Sequence, residues 1–331
     1  MGLIDTLSSG FKVAQRRPWL LLLPVLLDLW FWLGPRWSVQ PLIDSLLRLW
    51  TPQTLPPSLL ELADSYRAGL ETAGAHYNLW WLLDNNPGWL RTVLPALMDP
   101  AHPATAPRLI ALDTPWLLLG ALALLLLAVV LGSLFLVAAA RAVYSVTTLP
   151  DDGPVASYPR GFWLRRWLHT SLRALALLLL LLVMGAAGSM ALSLLLTPVL
   201  LISPQGGAGL LSLLALLFGW LLLVAYILFY FTLPALVTDG IGLRQALWRS
   251  FNVVSRNFWS TVGLLALTTL ILWGFDLIWQ RLAGFGAAGV AAAIAGNALL
   301  VAGFAVARLI FYQQRSAQWL QSLPTEAGNA G

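Results

Sequence analysis

WLLLGALALLLLAVVLGSLFLVAAA, residues 116–140, runs without a charged side chain until Arg141 stops it. A helix needs about 20 apolar residues to cross the ~30 Å hydrocarbon core of a bilayer. This stretch is long enough, so it reads as a membrane span, and the rest of the chain divides around it. Downstream, apolar runs recur at residues 172–202, 210–233, 258–279 and 287–312. The tight turn Pro204-Gln205-Gly206-Gly207 and the turn Gly284–Gly286 separate two of these pairs. Upstream, residues 17–34 form a shorter run that holds Asp28 and four bulky aromatics. Gly34-Pro35-Arg36-Trp37 after it offers no small-x-small cleavage site, so the run reads as an uncleaved anchor rather than a signal peptide. The expectation is an all-α polytopic helix bundle of six transmembrane helices in a single membrane domain covering residues 1–331.

Composition agrees. Of 331 residues, 59% are hydrophobic and 10% charged, with a mean hydropathy of +0.79. Soluble domains carry about 25% charged residues. The net charge is +5, carried by dispersed arginines and a single lysine. No basic block alternates with aromatics, which removes nucleic acid as an expected partner. Cysteine is absent, which excludes disulfides, thiolate metal sites and palmitoylation.

Residues 35–115 are the one long polar segment. Leu42, Leu46, Leu49 and Trp50 pattern as one helical face, and Leu59, Leu62, Ala63, Tyr66 and Leu70 as another. Pro52, Pro56, Pro57, Pro87, Pro95, Pro100, Pro103 and Pro107 break the segment into pieces, so it reads as an extracytoplasmic cap of short amphipathic helices. Residues 313–331 read as a flexible cytoplasmic tail.

Between two spans lies DGIGLRQALWRSFNVVSRNFW, residues 239–259. Leu243, Leu247, Phe251, Val254 and Phe258 recur as an apolar helical stripe, with Gln245, Arg249, Asn252 and Arg256 as a polar stripe opposite. Asp239 precedes the helix as an N-cap candidate. Residues 161–175 behave similarly: Leu164, Leu168, Leu172 and Leu175 share one face, and Arg165, His169 and Arg173 lie off it. The Asp152-Gly153 and Asp239-Gly240 pairs precede these helices and suggest a weak internal repeat. Six spans put both termini on one side. That side holds 13 of the 19 basic residues. Five of the other six lie in the long polar segment, where the positive-inside rule carries little weight. Both termini and the 239–259 helix are therefore expected in the cytoplasm, and the membrane is expected to be the inner (plasma) membrane.

Enzyme signals are poor. His76, His102 and His169 share no metal spacing, and no H-E-x-x-H, G-x-S-x-G or phosphate-cradling glycine loop occurs. His169 reads as a polar-face residue of an interfacial helix, with contact to a phosphate headgroup as the functional alternative. No catalytic residues, metal or cofactors are expected. Ionisable groups inside the spans are the better clue. Asp28 falls near mid-depth, and Thr268, Thr269 and Asn297 fall at a similar level, a candidate polar cluster with either a structural or a substrate role. Asp276 and Arg281 are expected to cap or pair at the outer end of their span, and Arg308 to snorkel at the inner end of the last. Gly289, Ala293, Gly296 and Gly303 give that last span small-residue faces suited to close packing.

The stretch with Pro234, Asp239, Gly240, Ala246, Leu247, Ser250, Phe251, Asn257, Phe258 and Trp259 resembles the six-span membrane domain of some bacterial glycerophosphoryl diester phosphodiesterases and related uncharacterised bacterial membrane proteins. The resemblance centres on residues 230–270. It implies a membrane module without the phosphodiesterase barrel, and so no catalytic residues carry over. Two functions remain open. One is a non-enzymatic scaffold or lipid/partner-docking module, in which Arg165, Arg166, Gln245, Arg249, Asn252 and Arg256 contact anionic membrane lipids or a protein partner at the cytoplasmic face. The other is a transporter or permease subunit with a cytoplasmic coupling helix at residues 241–257 and a mid-membrane site around Asp28.

Overall fold

The computed structural model describes residues 2–49, 57–84, 90–93, 109–111, 113–147, 160–202 and 204–321. The helices, in chain order, are α1 (Leu3–Arg16), α2 (Leu22–Leu33), α3 (Gln40–Leu49), α4 (Pro57–His76), α5 (Thr114–Thr147), α6 (Arg160–Ile202), α7 (Pro204–Leu228), α8 (Thr232–Asp239), α9 (Leu243–Arg256), α10 (Phe258–Ala283) and α11 (Ala287–Gln321). Among the described residues, five helical segments are long and apolar enough to cross a membrane: Thr114–Tyr144, Gly161–Ala191, Ser212–Asp239, Phe258–Ala283 and Ala287–Gln321. The fold is all-α apart from β1 (Arg36–Ser38) and β2 (Leu109–Ala111), which pair in parallel.

The core is built around α11. Its 35 residues span about 52 Å at 1.5 Å per residue. Gly289, Gly296 and Gly303 each meet a neighbour that a Cβ would strike: the Leu282 carbonyl, the Trp279 ring and the Phe11 ring. The small-residue reading of this helix therefore holds. The polar tail does not start at residue 313, because α11 continues to Gln321 with Ser316 buried. Tyr312 and Ser316, one turn apart, face the protein and carry the helix past the apolar run. Residues 322–331 lie outside the described residues.

The residues before the first apolar run, which carry Lys12 and Arg16, form helix α1. In α1, Thr6, Leu7, Gly10, Val13 and Ala14 are buried on one face. The Asp5 carboxylate accepts the Gly2 N–H at 3.0 Å, satisfying an orphan donor of the first turn. α1 lies against α11 so closely that a Cβ on Gly10 would come 2.5 Å from the Gly303 carbonyl oxygen and 2.7 Å from Ala307. Phe11 and Phe304 meet edge to face at 5.3 Å. Pro18 then breaks the chain, since the residue before a proline is pushed out of helical geometry: Arg17 has φ −129° and ψ 67°. A short 3-10 turn, Pro18–Leu21, leads into α2. With 12 residues, about 18 Å, α2 alone is shorter than a bilayer core. The apolar run at 17–34 is thus a 3-10 turn leading into a short helix, and it is not among the segments long enough to span a bilayer.

Part of the polar segment is seated on the bundle. Asn78 organises it: its Oδ1 accepts the backbone N–H of Trp37 at 3.0 Å and of Trp80 at 3.3 Å. Trp80 packs against Trp30 at 5.3 Å and Trp37 at 4.7 Å, joining α2, β1 and the 3-10 turn Leu79–Leu83. Leu79 and Leu83 are buried with Leu117 of α5. The expected faces meet the structure unevenly: Leu42 packs on the core, whereas Leu46 and Tyr66 are exposed. Trp50 lies outside the described residues.

α6 runs unbroken through 43 residues, so its basic N-terminal part and its apolar part are one helix. The corresponding basic helix α9 is separated from α10 by Asn257. The two segments thus differ in helix continuity, and Asp152-Gly153 falls outside the described residues.

Candidate functional site

Side-chain hydrogen bonds converge on the junction between α7, α8 and α9. Its geometry begins with Pro234. A proline lacks the N–H that would bond the carbonyl four residues back, which here is Tyr230. Nη2 of Arg308, on α11, donates to that Tyr230 carbonyl instead, and the guanidinium lies 4.2 Å from the Tyr230 ring centroid. Arg308 is 4% exposed. It does not snorkel, because the proline creates a backbone acceptor for it inside the protein. The break before α8 is closed from the other side by Ser250 of α9, whose hydroxyl donates to the Leu228 carbonyl at 2.9 Å and accepts the Phe231 N–H at 3.0 Å.

Asp239 ends α8 and is not the N-cap of α9, a position held by Gly242. Its Oδ2 accepts from Arg249 Nη1 at 2.5 Å and from the Tyr312 hydroxyl at 2.6 Å, and its Oδ1 from the Thr238 hydroxyl at 2.9 Å. One carboxylate thus joins α8, α9 and α11. Gly240 follows in the left-handed region at φ 69°, where a side chain would be strained.

The end of α8 leaves carbonyls that its own helix does not use, and α5 and α6 supply donors. Arg166 Nε donates to the Val237 carbonyl at 2.6 Å, and its Nη2 to that of Thr238. The Tyr144 hydroxyl also donates to the Thr238 carbonyl, at 2.8 Å. Arg173 Nη1 donates to the carbonyls of Gly240 at 3.0 Å and Ile241 at 2.8 Å. Cations at a helix C-terminus also complement its dipole. Beside this clamp is an open pocket of about 150 Å³, lined by Phe162, Arg165, Arg166, His169, Thr170, Arg173, Leu236 and Gly240.

These contacts revise the expected surface residues. Arg166 and Arg249 are committed to the protein itself, whereas Arg165, Gln245 and Arg256 are exposed. Asn252 donates to the Trp248 carbonyl of its own helix at 2.8 Å. The buried face of α9 is Ala246, Ser250, Val253 and Val254, not the apolar stripe, of which Val254 alone is buried. Phe251 points outward and stacks on exposed Trp248 at 5.9 Å. Protein–protein packing of spanning helices favours small residues, so the large apolar side chains are left for the other side.

Asp28 is fully buried, and it does meet Asn297. Its Oδ2 accepts from Asn297 Nδ2 at 3.3 Å, and its Oδ1 from the Val93 backbone N–H at 2.8 Å. Asn297 also donates to the Arg91 carbonyl at 3.1 Å. The other two members of the expected cluster are elsewhere. Thr268 turns its hydroxyl to the Leu264 carbonyl of its own helix, and Thr269 is exposed. Asp276 pairs with Arg91 at 2.5 Å rather than with Arg281. Asp84 accepts from the Thr92 N–H at 2.5 Å and its hydroxyl at 2.8 Å. Burial pushes the Asp84 carboxyl above its ordinary value, against the pull of the Thr92 hydrogen bonds and Arg91. Sequence alone did not reveal that residues 90–93 would enter the bundle and meet Asp28. The available hint was an unpaired acid in an apolar run, which needs donors from somewhere.

Among the described residues, no three acidic or histidine side chains converge to hold a metal ion. Comparison of the chain with protein-family models, with curated proteins and with solved structures finds no match.

Proposed function

We propose that this chain is a non-enzymatic, six-span bacterial inner-membrane protein, with both termini cytoplasmic, that serves as a docking module for membrane lipid or a partner at the cytoplasmic face. The observation that carries the reading is the outward face of α9. Trp248 and Phe251, 62% and 38% exposed, stand on a helix whose other face is fixed by Ser250 and by the Asp239–Arg249 pair. Aromatics flanked by arginines on a helix of this kind belong at a headgroup boundary. The concentration of 13 of the 19 basic residues on one side supports the orientation. The sixth crossing is the segment Pro18–Leu33, which with α1 packs on α11.

The resemblance to the phosphodiesterase membrane domain belongs to this proposal. Several residues that carry it have structural work at the junction: Pro234 opens the acceptor for Arg308, Asp239 joins three helices, and Gly240 turns the chain. Ala246 and Ser250 let α9 approach.

The absence of cysteine makes the reading directly testable. A nitroxide on Trp248→Cys, in protein reconstituted into liposomes, should show collision accessibilities that place it about 5–10 Å into the headgroup–acyl boundary. Accessibility like that of a label in bulk water, or exclusion of both oxygen and a polar nickel chelate, would contradict the proposal.

A further inference from the structure

The pocket between α6 and the end of α8 has a chemical character that the docking proposal does not specify. Arg165, His169 and Arg173 occur at steps of four, so they form one ridge along α6. With Arg166 they supply three guanidiniums and an imidazole, and no acidic side chain lines the pocket. Arg166 and Arg173 are bonded to neutral carbonyls. That fixes their position without cancelling their charge. Arg165 and His169 are exposed and have no hydrogen-bond or ion-pair partner among the described residues. A group of fixed cations with further donors to offer recognises a phosphate, whose several oxygens can accept from more than one guanidinium.

The surroundings indicate how that phosphate arrives. A pocket of about 150 Å³ is smaller than the roughly 300–1,000 Å³ sites that enclose whole small molecules. It has room for a head and not for a body. One residue before each member of the cationic ridge stands a leucine: Leu164, Leu168 and Leu172, exposed by 56%, 51% and 60%. These leucines form a second ridge, adjacent to the first and not packed against the protein. An apolar track beside a phosphate seat suits a molecule with an acyl chain. We infer that this pocket seats the phosphate headgroup of an anionic phospholipid, with an acyl chain along the Leu164–Leu168–Leu172 ridge.

The inference rests on the proposed placement of the N-terminal part of α6 at the membrane surface. The test uses the full-length chain in neutral detergent with phosphatidylglycerol and phosphatidylcholine added in equal amounts, and native mass spectrometry to count retained lipid. The intact protein should retain phosphatidylglycerol selectively. Arg165→Gln/His169→Gln should lower that retention about 5-fold, the change expected for loss of one guanidinium at a headgroup. Arg165→Lys/His169→Lys should keep it. Because both side chains are exposed and unbonded within the described protein, the glutamine pair should leave the thermal unfolding transition unchanged. Arg166→Gln, which breaks the carbonyl clamp, should lower that transition. Equal retention of both lipids, or full retention by the glutamine pair, would overturn the inference. Displacement of phosphatidylglycerol by millimolar inorganic phosphate or glycerol phosphate would assign the seat to a soluble phosphate and overturn the lipid source. A headgroup-level Trp248 label combined with unselective retention would sink this inference alone. A water-exposed Trp248 label would instead sink the reading beneath it.

Discussion

Asp239→Ala is expected to lower the unfolding free energy of the detergent-solubilised protein by about 2–3 kcal/mol. The carboxylate accepts from Arg249 and Tyr312, so its removal leaves two donors without their acceptor at once, while the Thr238 hydroxyl keeps the Pro234 carbonyl. The Arg249 and Asp239 side chains are 27% and 19% exposed. Water therefore recovers part of the loss, which keeps the figure below the ~3–5 kcal/mol of a fully buried pair. Asp239→Asn retains an acceptor and should cost about half as much. If Asp239 joins the helices as described, Asp239→Ala and Arg249→Ala will be non-additive by about 1 kcal/mol or more in a double-mutant cycle. Additive effects would show that the pair contributes nothing as a pair.

Asp28→Leu is expected to have a comparable effect through a different part of the molecule. The substitution leaves the Val93 N–H and one Asn297 bond unsatisfied in a site with no water access, at about 1–3 kcal/mol each. The loss should be local before it is global. Amide exchange at Thr92 and Val93 should accelerate at least tenfold, because residues 90–93 are held by Asp28 and Asp84, while exchange at the α8–α9 junction should stay unchanged. Asp28→Asn should be milder, since its carbonyl can still accept from Val93. Unaltered exchange in Asp28→Leu would mean that the carboxylate does not hold this segment. Its hydrogen bonds to Val93 and Asn297 support a structural post over a transport site.

The long apolar runs were legible because a bilayer demands length and apolarity, and both are visible in composition. The meeting of Asp28 and Asn297 was legible because depth along two helices can be counted. The face of α9 was misread for a physical reason. In water an apolar stripe points inward, but beside a membrane it can point to lipid, and the protein-facing side is then marked by small residues such as Ala246 and Ser250. α1 was missed on the same account: its buried face centres on Gly10, whose value is the close approach to Gly303 and Ala307 rather than its hydrophobicity. Arg308 looked like a snorkelling residue. The clue against this was Pro234, which leaves the Tyr230 carbonyl without its helical donor, but nothing in the spacing says that an arginine 78 positions on will fill it. Contacts of this kind are set by tertiary packing and leave no local period to read.

In the proposed topology α9 lies at the cytoplasmic membrane surface while the α10–α11 turn faces the opposite side. Both positions can be marked in the natural cysteine-free chain. Gln245 of α9 and Phe285 of the turn are exposed, the latter by 78%. With a membrane-impermeant maleimide, Phe285→Cys should label in cells with an intact inner membrane, and Gln245→Cys only after that membrane is permeabilised. Labelling of Gln245→Cys in intact cells, with Phe285→Cys protected, would contradict the account.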